Sequence, residues 1–376
     1  MKYFILFYLI SFFSFAAGDT SLESLASRLR RVTIGGRVQG VLANVPDQNN
    51  QDMYLRRLRL NISYKLSSNQ TVVYDIRNDR ANYQDSGDQK FSIGDAYWQV
   101  KINKPWLKNI RLFRAKVDVS YSQTSSSKDL FNPGRALVTD HASDFVIFGR
   151  RAVNIQANGQ LGDVAYQVVL SDGVSSDSLS PIKGKAYIES ISGQNLTYGA
   201  KFRYFLVGSA VENKVQDTFY GNKDTFSIGA GYFVNDKIKA ISSGSVESIV
   251  LNRSLGNIEV SYSQGGFRFI GEYFLFKDNI INLDESSIDL ILGKANGHYS
   301  QLEYVYKKWA PYIGYEHFDQ WDSEIGYEVE SYVLGVNYYE DMDLSRYGIA
   351  YKKEREGASL TGKVNDNLYA YVMMNF

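Results

Sequence analysis

The chain contains no cysteine, few prolines and few histidines, and these absences limit what it can be. Its 376 residues include 0 Cys, 5 Pro and 3 His. Without cysteine, oxidative cross-links cannot contribute to its stability. His141, His298 and His317 do not fall at the spacing of metal ligands, and no thiol accompanies them. The sequence therefore predicts no metal site and no cofactor.

An excess of charge of one sign is also missing. Lys plus Arg equals Asp plus Glu at 41 each, so the composition indicates neither a nucleic-acid partner nor an acidic one. Long apolar runs are scarce too, since mean hydropathy is −0.28 and only one segment is long and apolar. Aromatic residues are abundant instead, with 29 Tyr and 21 Phe.

The one apolar run, "MKYFILFYLISFFSFAAG", stands at the start of the sequence. Lys2 supplies a positive n-region, residues 3–15 an apolar core, and the small residues at 14–16 or 16–18 a cleavage site. We predict a signal peptide over residues 1–18, which directs the mature chain out of the cytoplasm. A signal anchor is the alternative, but the run is short for a membrane span.

A short leader is predicted over residues 19–31. Leu22, Leu25 and Leu29 stand at helical spacing in "SLESLASRLRRV", which indicates a short helix.

From Val32 onward the pattern has a period of two. Leu58, Leu60 and Ile62 fall on one face of a strand, and Arg57 and Arg59 fall on the other. The pattern predicts sixteen strands, at 32–43, 53–66, 71–78, 91–102, 109–119, 150–160, 163–171, 195–207, 224–234, 256–264, 267–277, 298–307, 310–318, 329–340, 344–355 and 365–376. Most have about the length that crosses a bilayer when tilted. We therefore predict an all-β fold, a transmembrane antiparallel β-barrel over residues 32–376.

The lengths of the links between strands provide an independent test. Outer-membrane barrels alternate long external loops with short periplasmic turns. The long links are 44–52, 79–90, 120–149, 172–194, 235–255, 278–297, 319–328 and 356–364. The alternate links are short, at 67–70, 103–108, 161–162, 265–266, 308–309 and 341–343, with 208–223 as the exception.

A soluble β-sandwich or β-helix is the alternative to a barrel, since a sandwich also alternates apolar and polar residues. Two features favour the barrel. Tyrosines recur at strand ends, as an interfacial girdle requires, at Tyr64, Tyr74, Tyr198, Tyr204, Tyr262, Tyr306, Tyr315, Tyr338 and Tyr347. The faces opposite the apolar ones are charged, which suits a water-filled lumen better than a closed core.

The last eight residues, "YAYVMMNF", alternate in the same way. Leu368, Ala370, Val372, Met374 and Phe376 fall on one face. We predict that they form the closing strand, with the Phe376 ring toward lipid or the periplasmic interface. A terminal aromatic strand also resembles the signal that the outer-membrane assembly machinery reads.

Four stretches resemble the phosphate-selective porin O and P family of Gram-negative outer membranes. They are "FSIGDAYWQVKI" (91–102), "FGRRAVNIQANGQLGDVAYQVVLSDG" (148–173), "GHYSQLEYVYKKWAPYIGYEHFD" (297–319) and "LGVNYYEDMDLSRYGIAY" (334–351). The resemblance implies a sixteen-stranded, trimeric porin, and phosphate selectivity less firmly. The region where the family usually has Gly, a basic residue and Pro-Phe reads "LFRAKVDVSYS" (112–122), without the glycine and the proline, so its selectivity chemistry is not carried over by position.

Inward side chains follow from the alternation. The first half of the barrel is predicted to carry a pore-lining basic track of Arg37, Arg57, Arg59, Lys65, Arg114, Lys116 and Arg150. The second half is predicted to carry an acidic wall of Glu259, Glu272, Glu303 and Glu316. Opposed charges of this kind set a transverse field and offer anions a basic path. The alternative is that the arginines pair with the acidic wall and only solvate the interior.

The third and longest external link, 121–145, is predicted to fold into the lumen and narrow it. Lys128, Arg135 and His141 are the candidates for the constriction. Their counter-charges are Asp129, Asp140 and Asp144. A flexible external loop is the alternative.

These observations predict an outer-membrane porin of a Gram-negative bacterium, passing small hydrophilic solutes with a preference for anions. The expected partners are outer-membrane lipid and lipopolysaccharide, the assembly machinery and two further copies of the chain in a homotrimer. An outer-membrane hydrolase, of the phospholipase or protease type, is one alternative and would need His141 beside a serine. A non-conducting surface anchor is the other.

Overall fold

The computed structural model describes residues 22–45, 50–81, 91–125, 130–132, 134–147, 151–174, 188–208, 224–242, 248–281, 294–320, 328–341, 344–357 and 363–376. The predicted signal peptide lies outside these residues. Three residues named in the sequence analysis, Lys128, Asp129 and Arg150, also lie outside them. No helix in the described part of the chain is long and apolar enough to cross a membrane.

The described residues form seventeen strands and three helices. The strands are β1 (Val32–Val45), β2 (Asn50–Lys65), β3 (Gln70–Ala81), β4 (Ser92–Lys101), β5 (Asn109–Arg114), β6 (Val153–Leu161), β7 (Val164–Ser171), β8 (Ile188–Gly193), β9 (Thr197–Val207), β10 (Thr225–Ser242), β11 (Ser248–Gln264), β12 (Phe267–Ile280), β13 (Lys294–Tyr304), β14 (Trp309–Gln320), β15 (Glu328–Asp341), β16 (Ser345–Gly357) and β17 (Lys363–Asn375). The helices are α1 (Leu22–Leu29), α2 (Tyr121–Thr124) and α3 (Leu137–Val146).

Sixteen of the strands close into a barrel. Each pairs antiparallel with the next, β7 with β9, and β17 returns to pair with β1. Closure leaves no strand edge in the ring, which a membrane interior requires because lipid cannot satisfy free backbone groups. The predicted antiparallel barrel of about sixteen strands is confirmed.

The alternation of exposed and buried side chains gives the barrel an apolar exterior. On β15, Tyr332 and Leu334 are 48% and 61% exposed, while Ser331 and Val333 are 3% and 6% exposed. On β17, Leu368, Met374 and Phe376 are exposed and Tyr371 and Met373 are buried, as the period of two predicts. Large apolar side chains on the outer surface cost little free energy only when lipid covers them.

Two strand boundaries differ from the prediction on the side of the long links. The predicted link 235–255 is mostly strand, because β10 runs to Ser242 and β11 begins at Ser248. A bulge between Asn235 and Ile238 shifts the register, and Lys237 takes φ +52 there. The bulge breaks the alternation, so the predicted strand ended at 234.

β8 was not predicted. Among the described strands it pairs with the end of β10, from Lys239 to Ser242, and it continues the line of β9 along that strand. It is only six residues long. Its pairing with β10 has register shifts between Lys239 and Ala240 and between Ile241 and Ser242, and such shifts break the alternation that revealed the other strands.

β5 is shorter than predicted. The strand expected over 109–119 ends at Arg114. Phe113 adopts φ +87, a backbone conformation that residues other than glycine rarely take, and the chain leaves the barrel wall directly after it. Arg114 and Lys116 therefore do not stand two apart on one strand, as the prediction required.

Candidate functional site

The described residues between 115 and 147 (115–125, 130–132 and 134–147), here called the inserted segment, contact inward-facing side chains of the barrel wall. Ala115, Val117 and Val119 are fully buried directly after β5. Farther along, the backbone oxygen of Leu130 accepts a hydrogen bond of 2.6 Å from Nη1 of Arg346, on β16. A segment that leaves β5 and contacts β16 crosses the interior, since these strands lie on different sides of the ring.

Helix α3 attaches to the wall through an apolar face. The side chains of that face are buried: Val138, Ala142, Phe145 and Val146. Phe145 meets Phe276 of β12 edge to face, with ring centroids 5.2 Å apart. Val138 lies against Gly297 of β13, where a side chain in place of glycine would overlap it. The opposite face of α3, with Asp140 and Asp144 exposed, is turned away from this wall.

Glu272 of β12 holds the start of the inserted helices. Its carboxylate accepts hydrogen bonds from the hydroxyl of Ser120 at 2.7 Å and from the backbone N–H groups of Tyr121 and Ser122 at 2.8 and 3.2 Å. The hydroxyl of Tyr299 on β13 donates to the same carboxylate at 2.7 Å. Glu272 thus satisfies the free N–H groups at the start of α2, and it is 3% exposed.

Glu316 and Glu303 hold the second part of the segment, Glu316 by a direct hydrogen bond and Glu303 through Asn337. The backbone N–H of Val138 donates to Oε1 of Glu316 on β14 at 2.7 Å, at the start of α3. Glu303 on β13 forms a 2.6 Å ion pair with Arg268. It also accepts a 3.1 Å hydrogen bond from Asn337, whose amide donates to the backbone oxygen of Phe131.

Glu259 of β11 belongs to a buried network of four charges. Lys201 of β9 lies 2.6 Å from it, and Nε of Arg203 donates to it at 2.5 Å. Both cations also reach Asp118 of the inserted segment, at 3.0 and 3.3 Å. Burial tends to raise the pKa of Asp118, but Lys201 and Arg203 outweigh it and hold that pKa below its usual value.

All four residues of the predicted acidic wall therefore face inward and are buried, with exposures of 5% or less. Their charges are committed to cations or to backbone N–H groups of the inserted segment. The four glutamates therefore serve mainly to position the inserted segment, and they present little unpaired negative charge to a solute in the lumen.

An arginine cluster forms between β2 and the inserted segment. It consists of Arg56, Arg59, Arg135 and Arg151. Burial lowers the pKa of Arg135, Asp140 opposes the shift, and the charges of Arg59, Arg151 and Arg56 add to it. The guanidinium of Arg56 lies beside Gly134 of the segment. Arg135 also donates to the backbone oxygens of Ser122 and Ser125, each at 2.9 Å.

Arg151 is the most enclosed member of the cluster, at 1% exposure. Its Nε donates to Asp95 at 2.5 Å, and its Nη2 lies 3.8 Å from Asp75. Neither Nη1 nor Nη2 has a hydrogen-bond partner among the described residues. A buried guanidinium in this state can donate hydrogen bonds to an anionic oxygen with little desolvation left to overcome.

Two members of the cluster were not predicted, for one reason. Arg56 sits at a bulge in the β1–β2 pairing, so it and its sequence neighbour Arg57 both reach the interior. Arg151 precedes β6, which begins at Val153. Alternation assigns faces only within a regular strand, so it missed both.

The predicted basic track is dispersed over the interior. Arg37 donates to Asn375 at 2.7 Å, Arg57 to Gln39 at 2.5 Å, and Lys116 to the backbone oxygen of Thr124 at 3.3 Å. Lys65 is exposed at the end of β2, and Arg59 lies in the arginine cluster.

On β5 the residues differ from the prediction. Arg114 donates to the backbone oxygen of Gly94 at 3.0 Å. Arg111, which was not predicted, donates to Gln99 at 2.9 Å, and its guanidinium lies over the ring of Tyr97. The alternation was counted from the wrong residue because the strand was taken to continue to 119.

His141 and Ser143, both on α3, are not placed to form the pair that a hydrolase would need. Its ring stacks on Phe318, with centroids 4.9 Å apart. His141 and Ser143 stand two apart on α3, so they point to nearly opposite faces of the helix. In the part of the chain that the structure describes, no group of three His, Asp or Glu side chains is placed to hold a metal ion.

The sixteen-stranded ring, the apolar exterior and the inserted segment together define an outer-membrane barrel of the porin architecture. Solved structures show the same fold. An anion-selective porin from Comamonas acidovorans matches with TM-score 0.60 and 14% identity over 92% of this chain and 99% of that chain. The outer membrane channel DcaP of Acinetobacter baumannii matches with TM-score 0.59 and 12% identity over 92% and 97%.

A third similar structure is OmpT, an outer membrane protein of Vibrio cholerae, in its trimer form. It matches with TM-score 0.58 and 12% identity over 92% of this chain and 99% of that chain. At these identities the likeness is one of fold. No protein-family model and no curated protein sequence matches the chain.

Proposed function

We propose that the chain is a porin of the Gram-negative outer membrane, through which small hydrophilic solutes diffuse passively. The observation that carries the proposal is the inserted segment, fixed inside the closed ring by Glu272 and Glu316. Such a segment narrows a barrel without adding a moving part or a reactive group. Between it and β13–β16 lies a small cleft lined by Arg135, Gln301, Glu316 and Lys352.

The proposal includes a preference for anions. The acidic residues of β11–β14 are engaged by cations and backbone N–H groups, whereas the arginine cluster gathers four positive charges around the inserted segment, of which Arg151 is paired with Asp95. Fixed charge of one sign at a narrow point raises the local concentration of the opposite ion. One protein of the same fold is itself titled an anion-selective porin.

Phosphate is the finer form of this proposal. The four stretches that resemble the phosphate-selective porins support it, as does the guanidinium fork, which matches the geometry of phosphate oxygens. We also propose that the chain forms a homotrimer embedded in lipid and lipopolysaccharide. The outer-membrane assembly machinery, which recognises Phe376, inserts it. The trimer form recorded for OmpT supports the assembly state.

The two alternatives have less support. A hydrolase needs His141 beside a nucleophile, and the helix separates it from Ser143. A surface anchor does not need an inserted segment held by two wall carboxylates.

Planar-bilayer recording of the purified protein tests the proposal. We expect discrete conductance steps and, in a KCl gradient, a reversal potential displaced toward the chloride equilibrium potential. Added inorganic phosphate should reduce the chloride current if phosphate occupies the same path. Folded, heat-modifiable protein that gave no conductance would overturn the porin function, and a displacement toward potassium would overturn only the anion preference.

A further inference from the structure

The outer surface of the barrel carries an opposed pair of lysines near the long links. Lys277 of β12 and Lys294 of β13 are partners in the strand register. The next pair, Phe276 and Ala295, is buried and faces inward. Alternation therefore turns both lysines outward, and both are exposed.

Among the residues that the structure describes, this lysine pair has no countercharge. Like charges directly opposite each other in a sheet destabilise it. No described carboxylate lies within ion-pair distance of either side chain. The adjacent Asp278 faces inward, where it forms a 2.7 Å ion pair with Arg253. An anion bound between Lys277 and Lys294 would remove the repulsion.

A third lysine and two amides continue the polar surface. Lys237 protrudes from the β10 bulge, and its backbone N–H donates to Oδ1 of Asn252 at 2.8 Å. Asn252 is the register partner of Asn279, which follows Lys277 on the same outward face. We call Lys237, Lys277 and Lys294, with Asn252 and Asn279, the lysine patch.

The surface next to the lysine patch is apolar. Tyr273 and Leu275, on the same face of β12, are 39% and 49% exposed, and Tyr232 on β10 is 59% exposed. The change from Tyr and Leu to Lys along one face is typical of the boundary between hydrocarbon and head groups. β12 ends at Ile280, within the long link 278–297 that the sequence predicts to be external.

From this arrangement we propose that the lysine patch binds the phosphate groups of an acylated, phosphorylated glycolipid of the outer leaflet. The lysines and amides contact the phosphorylated sugar, and the acyl chains cover Tyr273 and Leu275. Free phosphate has no acyl chains, so it can contact the lysines and amides but not the apolar surface of Tyr273 and Leu275. The inference rests on the proposed location in the outer membrane, but not on conduction.

The test compares Lys277→Gln/Lys294→Gln with Lys353→Gln as a matched control. Lys353 also faces outward, on β16, but its register partner on β17 is the acidic Asp366 and not a second lysine. All three proteins are extracted from outer membranes, and the phosphorylated glycolipid that each retains is counted by native mass spectrometry. Binding of added glycolipid with and without its phosphates is then titrated.

We expect the double variant to lose affinity for the phosphorylated glycolipid by about thirtyfold, since each lysine near an anionic lipid surface contributes about fivefold. The control and the binding of dephosphorylated glycolipid should stay unchanged, and inorganic phosphate should not compete. Equal retention by the double variant and the wild type would overturn the proposal, as would equal binding of the dephosphorylated lipid. Conductance measured on the same samples reports on the porin function separately, and single lysine variants give the same comparison if the double variant folds poorly.

Discussion

Gly36 and Phe376 exchange two backbone hydrogen bonds where the barrel closes. The N–H of Gly36 donates to the carbonyl oxygen of Phe376 at 2.8 Å, and the N–H of Phe376 donates back to Gly36 at 3.1 Å. The Phe376 ring covers Gly36, so a methyl group at position 36 would overlap the ring. The first and last strands are thus joined at their ends by main-chain bonds and by an aromatic side chain that needs glycine beneath it.

Closure at this point predicts that deletion of Phe376 and the substitution Gly36→Val both slow assembly. Deletion removes both backbone bonds, and valine displaces the ring, so β1 and β17 keep unpaired edges for longer. Heat-modifiability on gels, folded against unfolded, measures the rate and the yield. Gly40→Ala is the control, since a Cβ there would make an ordinary 3.5 Å contact with Val372. Assembly of the two altered proteins at the wild-type rate would contradict the prediction.

The direction of side chains on β2 predicts a difference between two neighbouring positions. Leu60 pairs with Ile76 on the outward face, and Asn61 pairs with Asp75, which is buried inside. Leu60→Arg should destabilise the barrel by about 2–4 kcal/mol if position 60 lies near the bilayer midplane, whereas Asn61→Arg places its charge in the lumen. Urea unfolding in lipid vesicles measures both. Equal losses of stability would show that the register of β2 is wrong.

The regular parts of the wall could be predicted from sequence because lipid on one side and water on the other force a strict alternation. Strands such as β9, expected at 195–207 and found at Thr197–Val207, follow that rule directly. The bulges at Arg56 and Lys237 break it, and so does Phe113 with its positive φ. The alternation of apolar and polar residues does not show where a bulge or a positive φ angle interrupts a strand.

The interior could be predicted only in part, for a related reason. Parity located Glu259, Glu272, Glu303 and Glu316 on the inner face. It could not show that Glu272 caps a helix more than a hundred residues earlier in the chain, because that contact depends on how the inserted segment crosses the barrel. The arginine cluster depends on the same path.

The contacts of Glu272 predict that Glu272→Ala loosens the inserted segment. The change leaves the N–H groups of Tyr121 and Ser122 and the hydroxyl of Tyr299 without their acceptor, at a cost of about 1–3 kcal/mol for each buried group left unsatisfied. Single-channel recordings should show larger current noise and a less uniform conductance, with a lower temperature of heat modification. Glu354→Ala is the control, because Glu354 pairs only with the nearby Lys352 in the described structure. Quiet, uniform channels in the Glu272 variant would contradict the anchoring role.

The arginine cluster makes the last prediction, which concerns selectivity. Arg56→Gln with Arg59→Gln removes two positive charges but leaves Arg135 to hold the backbone of the inserted segment. The potential acting on a passing anion should fall, and more so at low salt, where screening lengths are longer. The reversal potential in a KCl gradient should therefore move toward potassium, with little change in conductance. Arg355→Gln removes a charge from the outer surface, where its register partner is Glu330, and should leave the reversal potential unchanged. Asp140→Asn with Asp144→Asn, on the exposed face of α3, should move it toward chloride. If the arginine pair can be replaced without any shift, the cluster serves to hold the inserted segment, and a preference for anions must arise elsewhere in the lumen.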